Sequence, residues 1–361
     1  MRVFYFLTKS EVGGAQTVVT ELLAAHQGRG DSVVVMAQGN GWLAGEVRRL
    51  GGEYVENRWM KKTYNPLTII QAALQYRRSV RRVNPDIISI HNSFSGIIGR
   101  LFRIKDIPIV YTAHGWGFAY GSRIMKYPGL LLEKIATHFC EAVVCVAQSD
   151  MRIARAYKIA PLSKLHLIHN GVAVGEFARS RSDIPSIVFV GRFAHPKQQA
   201  LFVTACTLLP ESLKKVVHIS FVGNGPLEQS VRVQATARGL ANVRFLGACS
   251  REEGLGVVAQ SWVSVLLSQS EGFPMSLIES LQLGVPVVAS DVGGVREIVT
   301  DNVGILVPRD AVPRQIAAAL EQVLTNKALL DRMSTEAKTH GQLFSVSYMS
   351  TNVFALYESL T

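Results

Sequence analysis

The chain has 361 residues, of which 48% are apolar and 18% charged, and a net charge of +11. That length exceeds one ordinary core and suits two domains, and the composition excludes a disordered chain. No apolar run approaches the roughly 18–20 residues of a membrane span, so no spanning segment is expected.

Met1–Leu7 (MRVFYFL) reaches Lys9 and Glu11 too soon for a signal peptide and reads as a first buried strand. Cysteines 140, 145, 206 and 249 form no C-x-x-C pair, so a reducing cytoplasm without a disulfide frame is expected. Strand-like runs lie at Val3–Leu7, Ser32–Ala37, Asp86–His91, Ile109–Ala113, Ala142–Ala147 and Leu165–His169. Amphipathic helical stretches such as Ala15–His26 and Leu67–Val83 separate them. The pattern restarts with Ser186–Val190, His218–Val222, Val243–Leu246, Val263–Leu267, Val285–Ser290 and Gly304–Val307. Short apolar runs between helical patterns predict parallel sheets covered on both faces. Two such series predict an α/β protein of two doubly wound, Rossmann-like domains, 1–172 and 173–343. Asn170–Gly171 reads as the junction turn and Glu176–Pro185 as the linker. Ligands of such folds bind beyond the carboxyl ends of strands. Domains set face to face would share a cleft there, so the informative residues are expected just after strands.

The charge is unevenly placed. Residues 1–175 hold 22 Lys and Arg against 11 Asp and Glu, while 176–361 hold 16 of each. Basic stretches at Arg58–Lys62, Arg77–Arg82 and Arg123–Lys126 lie beside Trp59, Tyr76 and Leu130–Leu132. Basic residues interleaved with apolar ones fit peripheral binding to an anionic membrane surface. Without a recognised module or aromatic stacking motif, nucleic acid is not an expected partner. A solvated basic surface is the plain alternative.

The densest constellation follows Val263–Leu267 and reads SQSEGFPMSLIESL over 268–281. A helix should begin near Met275, leaving the backbone N–H groups of Met275, Ser276 and Leu277 open at its positive end. A diphosphate fits that position, with Phe273 and Pro274 in the loop leading to it. Glu279, one turn on, suits a ribose, and Glu271 suits a sugar on the other side. Taken singly, Glu271 is equally a loop acid and Glu279 a solvated helix residue. Arg192 and Lys197, past the end of Ser186–Val190, supply a fork and a point charge for a leaving diphosphate. Gly13 and Gly14 after the first strand allow close backbone approach to a ligand, or form a simple turn. His114 ends a buried strand and suits a sugar hydroxyl, or a structural role. His91 and Asn92 hold the equivalent place after Ile87–Ile90 and are candidates to touch an acceptor.

Glu271, seven residues and Glu279, within EGFPMSLIESLQLGVPVVASDVGGVREIV, resemble the E-x7-E signature of the retaining glycosyltransferase family 4, which has the GT-B fold. Gly13-Gly14-Ala15 resembles the family's glycine loop beneath the donor diphosphate. His114 in YTAHGW resembles its active-site histidine, and IHNGV at 168–172 its interdomain junction. Gly191-Arg192 followed by Lys197 resembles the basic pair. Gly223-Asn224-Gly225-Pro226 and Phe245-Leu246-Gly247 resemble the nucleotide-side loops, and Gly293-Gly294 with Glu297 completes the run. The closing stretch Phe344–Leu360 resembles the helix that crosses back to the first domain, so about 344–361 is expected to join it. Gln198 departs from the small residue that usually follows the lysine. AHGWGF particularly resembles bacterial capsule, exopolysaccharide and lipopolysaccharide enzymes.

The resemblance implies a cytoplasmic hexosyltransferase, peripheral on the inner face of the membrane. Its donor would be a UDP- or GDP-linked nucleotide sugar, its acceptor a glycan, expected to be lipid-linked, and its outcome retention. With no D-x-D, no H-E-x-x-H and no Walker loop, neither a metal nor a cofactor is expected. A nucleotide-sugar epimerase or phosphorylase on the same fold is the enzymatic alternative, and a basic scaffold or nucleic-acid-binding protein the non-enzymatic one.

Overall fold

The computed structural model describes residues 1–61, 63, 65–120, 123–175 and 177–361. Lys62 of the first basic stretch and Glu176 of the expected linker lie outside the described residues, as does the side chain of Arg123. The chain forms two compact units, Met1–Gly171 with Val346–Thr361, and Val172–Ser345.

The first unit is built on β1 (Arg2–Lys9), β2 (Ser32–Gln38), β3 (Glu53–Glu56), β4 (Ile87–His91), β5 (Ile109–Ala113), β6 (Ala142–Cys145) and β7 (Leu165–Leu167). They form one parallel sheet in the order β3-β2-β1-β4-β5-β6-β7. Strand order reverses at β1, where Val3 lies opposite Val33 on one side and Ile87 on the other. β4 and β5 are buried along their whole length, as apolar runs covered on both faces must be. β3 (EYVE) was not expected. It is a short, part-exposed edge strand, so it carries no apolar run to announce it.

Helices close the layers at points the sequence marks. Asn65 caps helix Pro66–Val83 by accepting from Leu67 N at 3.0 Å, and Pro66 occupies its first turn. Phe6 stacks on Tyr76 of that helix at 4.7 Å, in a core with Phe4, Ile88, Ile90 and Trp116. Arg77 and Arg82 of the expected basic cluster are engaged within the fold. Arg77 donates to the carbonyl of Arg103 at 2.8 Å, and Arg82 pairs with Glu53. Arg78 and Arg81 are exposed. The closing helix, Val346–Glu358, belongs to this unit: Phe354 lies 4.2 Å from the His26 ring, and Glu358 pairs with Arg29.

The second unit carries β8 (Ser186–Val190), β9 (His218–Val222), β10 (Val243–Phe245), β11 (Val263–Leu266), β12 (Val287–Ser290) and β13 (Gly304–Val307). Their parallel order is β10-β9-β8-β11-β12-β13, the doubly wound order with its switch between β8 and β11. Phe189, Phe193, Phe202, Phe221 and Phe245 fill one side, with Phe221 stacked on Phe245 at 4.7 Å. Where the chain enters and leaves, Val172 pairs with Ser345, and buried Gln282 donates to the carbonyls of Val172 and Phe344 at 2.8 and 3.1 Å. Among the described residues, no helix is long and apolar enough to cross a membrane.

Candidate active site

β8 and β11 are neighbours across the switch point, so the loops leaving their carboxyl ends run together. Gln198 N donates to Leu267 O at 2.9 Å, and Gln269 N to Pro196 O at 3.0 Å. This stitching brings Lys197 Nζ to 2.5 Å from Glu271 Oε1, with the side chains 17% and 11% exposed. Two largely shielded opposite charges fix one another, and removing either strands its partner. Arg192, on the same loop, is exposed.

Glycines set the backbone around this pair. Gly293, after β12, has φ +56°, and a Cβ there would stand 1.8 Å from the carbonyl oxygen of Glu271. Gly294 N donates to Gly272 O at 2.9 Å, so this loop holds the Glu271 loop from behind. Gly223 and Gly225 have φ +123° and +154°, and a Cβ on either would meet a carbonyl of the 191–193 loop at 2.4 Å.

The helix starts where the sequence places it, at Met275, and runs to Gln282, with no side-chain cap. One detail is corrected. Leu277 N–H is not open: it donates to Pro274 O at 3.2 Å, so the opening for an anion narrows to the N–H groups of Met275 and Ser276. The Phe273 ring is also turned inward, edge-on to Phe344 at 5.4 Å, and Pro274 and Met275 are buried. These three can meet a ligand only through their backbone. Glu279 accepts from Arg251 Nε at 3.1 Å, and Arg251 also donates to Ala173 O at 2.8 Å. Sequence reasoning missed Arg251. Its signal is the capping box of Ser250 and Glu253, which starts a helix there and sets Arg251 in its first turn.

In the first unit, Gly13 precedes helix Gly14–Gln27 in extended conformation. Its constraint is space rather than torsion: a Cβ would lie 2.7 Å from Gln16 Oε1, whose amide donates to Lys9 O at 3.0 Å. His114 follows β5, and its Nε2 lies 2.8 Å from Nδ1 of His91 at the end of β4. His91 Nε2 lies 3.1 Å from Ser89 Oγ. Burial pushes His114 down to about 4, and burial with the neighbouring His114 pushes His91 well below its usual range. Both rings are therefore neutral at pH 7. The expectation that His91 touches an acceptor is corrected, because both its nitrogens are spent internally and it is 1% exposed. Asn92 sits at φ +75° with Oδ1 buried and unpartnered, so it retains hydrogen-bonding capacity. Among the described residues, no three His, Cys, Asp or Glu side chains gather as a metal set.

Comparison with known proteins gives a match to Glycosyltransferase Family 4 over residues 12–176 and to Glycosyl transferases group 1 over 176–340. The chain is 26% identical over 306 residues to the O-antigen biosynthesis glycosyltransferase WbnH of Escherichia coli, covering 84% of this chain and 85% of that one. It is 26% identical over 247 residues to the UDP-Gal:alpha-D-GlcNAc-diphosphoundecaprenol alpha-1,3-galactosyltransferase of Escherichia coli, covering 62% of each. Among solved structures, Anabaena Alr3699/HepE in complex with UDP-glucose superposes with a TM-score of 0.84 at 17% identity, covering 99% of this chain and 100% of that one.

Proposed function

We infer the reaction from one premise: this chain belongs to the GT-B glycosyltransferases of bacterial surface-polysaccharide type, a Family 4 domain followed by a group 1 domain. The proposed reaction moves a hexose from a UDP- or GDP-linked sugar to a hydroxyl of a lipid-linked glycan, with retention. The bond from the anomeric carbon to the diphosphate breaks, a bond to the acceptor oxygen forms, the acceptor proton leaves and the nucleoside diphosphate departs.

The observation that carries this reading is the Lys197–Glu271 pair, 2.5 Å apart and ahead of an uncapped helix start. Lys197 and exposed Arg192 meet the charge growing on the leaving diphosphate, and the N–H groups of Met275 and Ser276 take its oxygens. Glu271 accepts from sugar hydroxyls, and Glu279, steadied by Arg251, accepts from the ribose. On the first unit, Gly13 and Gly14 at the entry to helix Gly14–Gln27 are proposed to let the donor approach the backbone, and His114 to bond a sugar hydroxyl. A structural relative that binds UDP-glucose and a sequence relative named for a diphosphoundecaprenol acceptor support these substrate classes. Without D-x-D the diphosphate charge falls to protein cations, so the proposed transfer needs no metal. The basic first unit fits attachment to the inner, anionic face of the cytoplasmic membrane.

The test is to incubate the protein with a panel of UDP- and GDP-sugars and a diphosphate-lipid-linked acceptor, with and without chelator. Nucleoside diphosphate release and the anomeric configuration of the product are then measured. Release from one donor in chelator, giving an axial-to-axial or equatorial-to-equatorial product, is expected. Release that requires added magnesium or manganese, or inverted product, counts against the reading.

A further inference from the structure

The loops that carry Lys197 and Glu271 meet on a third residue, Ser268, which is fully buried. Ser268 lies opposite Lys197 in an antiparallel bridge, flanked by the two backbone bonds that join these loops. Its own backbone N–H donates to Ser290 Oγ, at the end of β12, at 3.1 Å, so it is anchored to the end of the sheet. Its hydroxyl faces two carbonyls, Pro196 O at 3.2 Å and Ser270 O at 3.1 Å, and shares its one proton between them. These are the carbonyls immediately before Lys197 and Glu271. A peptide unit is planar, so the direction of each carbonyl sets the direction in which the next Cα leaves. One buried hydroxyl therefore holds both peptide planes from which the charged residues depart. A further side-chain link between the loops, His195 Nε2 to Gln269 Oε1 at 3.0 Å, is exposed to water, where such a bond is weaker.

We propose that Ser268 is a positioning residue: its hydroxyl fixes the placement of Lys197 against Glu271, so that the pair stands ready for the leaving diphosphate and the sugar. The diphosphate and the sugar rest on the hexose-transfer reading; the placement of the pair does not. Ser268 is fully buried, so it acts through its two neighbours and not by touching a substrate. Without the hydroxyl, Pro196 O keeps its backbone partner, Gln269 N at 3.0 Å, whereas Ser270 O loses the bond that steadies it. The Glu271 side of the pair is therefore the side that loosens.

Lys197 can react with an acylating reagent only when it has left Glu271, so its labelling rate reads how often the pair opens. The full-length wild type, Ser268→Ala and Ser268→Cys are labelled with acetic anhydride without substrate, and Lys197 and Lys215 are followed by peptide mass spectrometry. Lys215, exposed on the same unit, is the internal standard. Ser268→Ala should label faster at Lys197 by roughly two- to tenfold, the range of one neutral hydrogen bond, with Lys215 unchanged. Ser268→Cys, whose thiol is of similar size and donates weakly, should fall between, and it carries the test if the alanine variant does not fold. Glu271→Ala should also speed Lys197 labelling, and adding Ser268→Ala to it should change little further. A serine that only supported the fold would raise Lys215 as well, or add its full effect in the Glu271→Ala background. Either result, or unmoved labelling at Lys197, overturns the proposal. With donor and acceptor present, kcat of Ser268→Ala should fall by a similar factor while the donor KM stays within about twofold. Unchanged kcat beside faster labelling would equally overturn it. The labelling uses no substrate, so absent transfer by the wild type sinks the hexose-transfer reading and leaves the placement of Lys197 against Glu271 standing.

Discussion

Lys197 and Glu271 lie 74 positions apart yet form a 2.5 Å pair, because each follows a strand and those strands are neighbours. Their places past strand ends were readable, since a cation and an acid just past apolar runs mark strand ends in an α/β fold. The pairing itself was not, because strand order is set by tertiary packing. Lys197→Ala and Glu271→Ala should each lower nucleoside diphosphate release by roughly 100–1000-fold, about 2.7–4 kcal/mol of barrier. Near-normal turnover in both would misplace the donor. Gly293→Ala should cause a comparable loss without touching a ligand group, because its Cβ would force the Glu271 carbonyl, 1.8 Å away, to move. Steady-state kcat/KM with an unchanged unfolding temperature would show that the loop, not the fold, has shifted. Arg251 was invisible in the same way: nothing near it names Glu279, 28 positions on, as its partner. Arg251→Ala should raise the donor KM more than it lowers kcat, as expected for a lost ground-state contact.

Strands β5 and β8 fall on Ile109–Ala113 and Ser186–Val190, where largely apolar runs place them, whereas β3 escaped notice because a short, part-exposed edge strand carries no apolar run. The start of helix Met275–Gln282 was legible from Pro274 and the loop before it, but the short turn that closes Leu277 N–H was not, because local tightening leaves no compositional trace. The ends of β4 and β5 carry a consequence for stability. His114 titrates near 6.5 unfolded and about 4 folded, so the unfolded chain binds the extra proton between those values. The contribution is complete above about pH 6.5 and is lost as pH falls toward 4, up to about 3 kcal/mol for a shift of this size. His91 is depressed in the same direction, and the two rings titrate as a coupled pair. Thermal unfolding should therefore shift to lower temperature between pH 7 and pH 4.5, and a His91→Asn/His114→Asn double variant should flatten that dependence. Equal pH slopes in wild type and double variant would refute the buried-neutral assignment.

At the scale of the molecule, two parallel doubly wound sheets follow from two series of apolar runs, and that much is legible because burial on both faces leaves little choice of residue. The charge asymmetry was equally plain, but which basic residues are available was not, since that depends on carbonyls and acids brought close by folding. Helix Pro66–Val83 shows the difference. Arg77 and Arg82 are held by Arg103 O and Glu53, while Leu67, Ile70, Leu74, Arg78 and Arg81 share one helical face and are all exposed. Leu67 is 71% exposed, and Trp59, beside exposed Arg58 and Lys61, is 43% exposed. On helix Arg123–Ala136, Tyr127, Leu131 and Ile135 recur every fourth residue and are 75%, 59% and 43% exposed. Apolar side chains left in water near exposed cations suit an anionic lipid surface, where each cation is worth roughly 1 kcal/mol and a buried apolar side chain about as much again or more. The attraction should fade over a Debye length of about 8–10 Å at physiological salt. Sedimentation with anionic vesicles should therefore recover the protein at low salt and release part of it at high salt, with little recovery on neutral vesicles. Arg78→Ser/Arg81→Ser should weaken binding and flatten its salt dependence, and Leu67→Ser/Leu74→Ser should weaken it at every salt concentration. These variants leave Arg77 and Arg82 in place, so the helix keeps its anchors. Equal recovery on both vesicle types, or none at low salt, would remove the membrane from the proposal and make a soluble acceptor the substrate to test next.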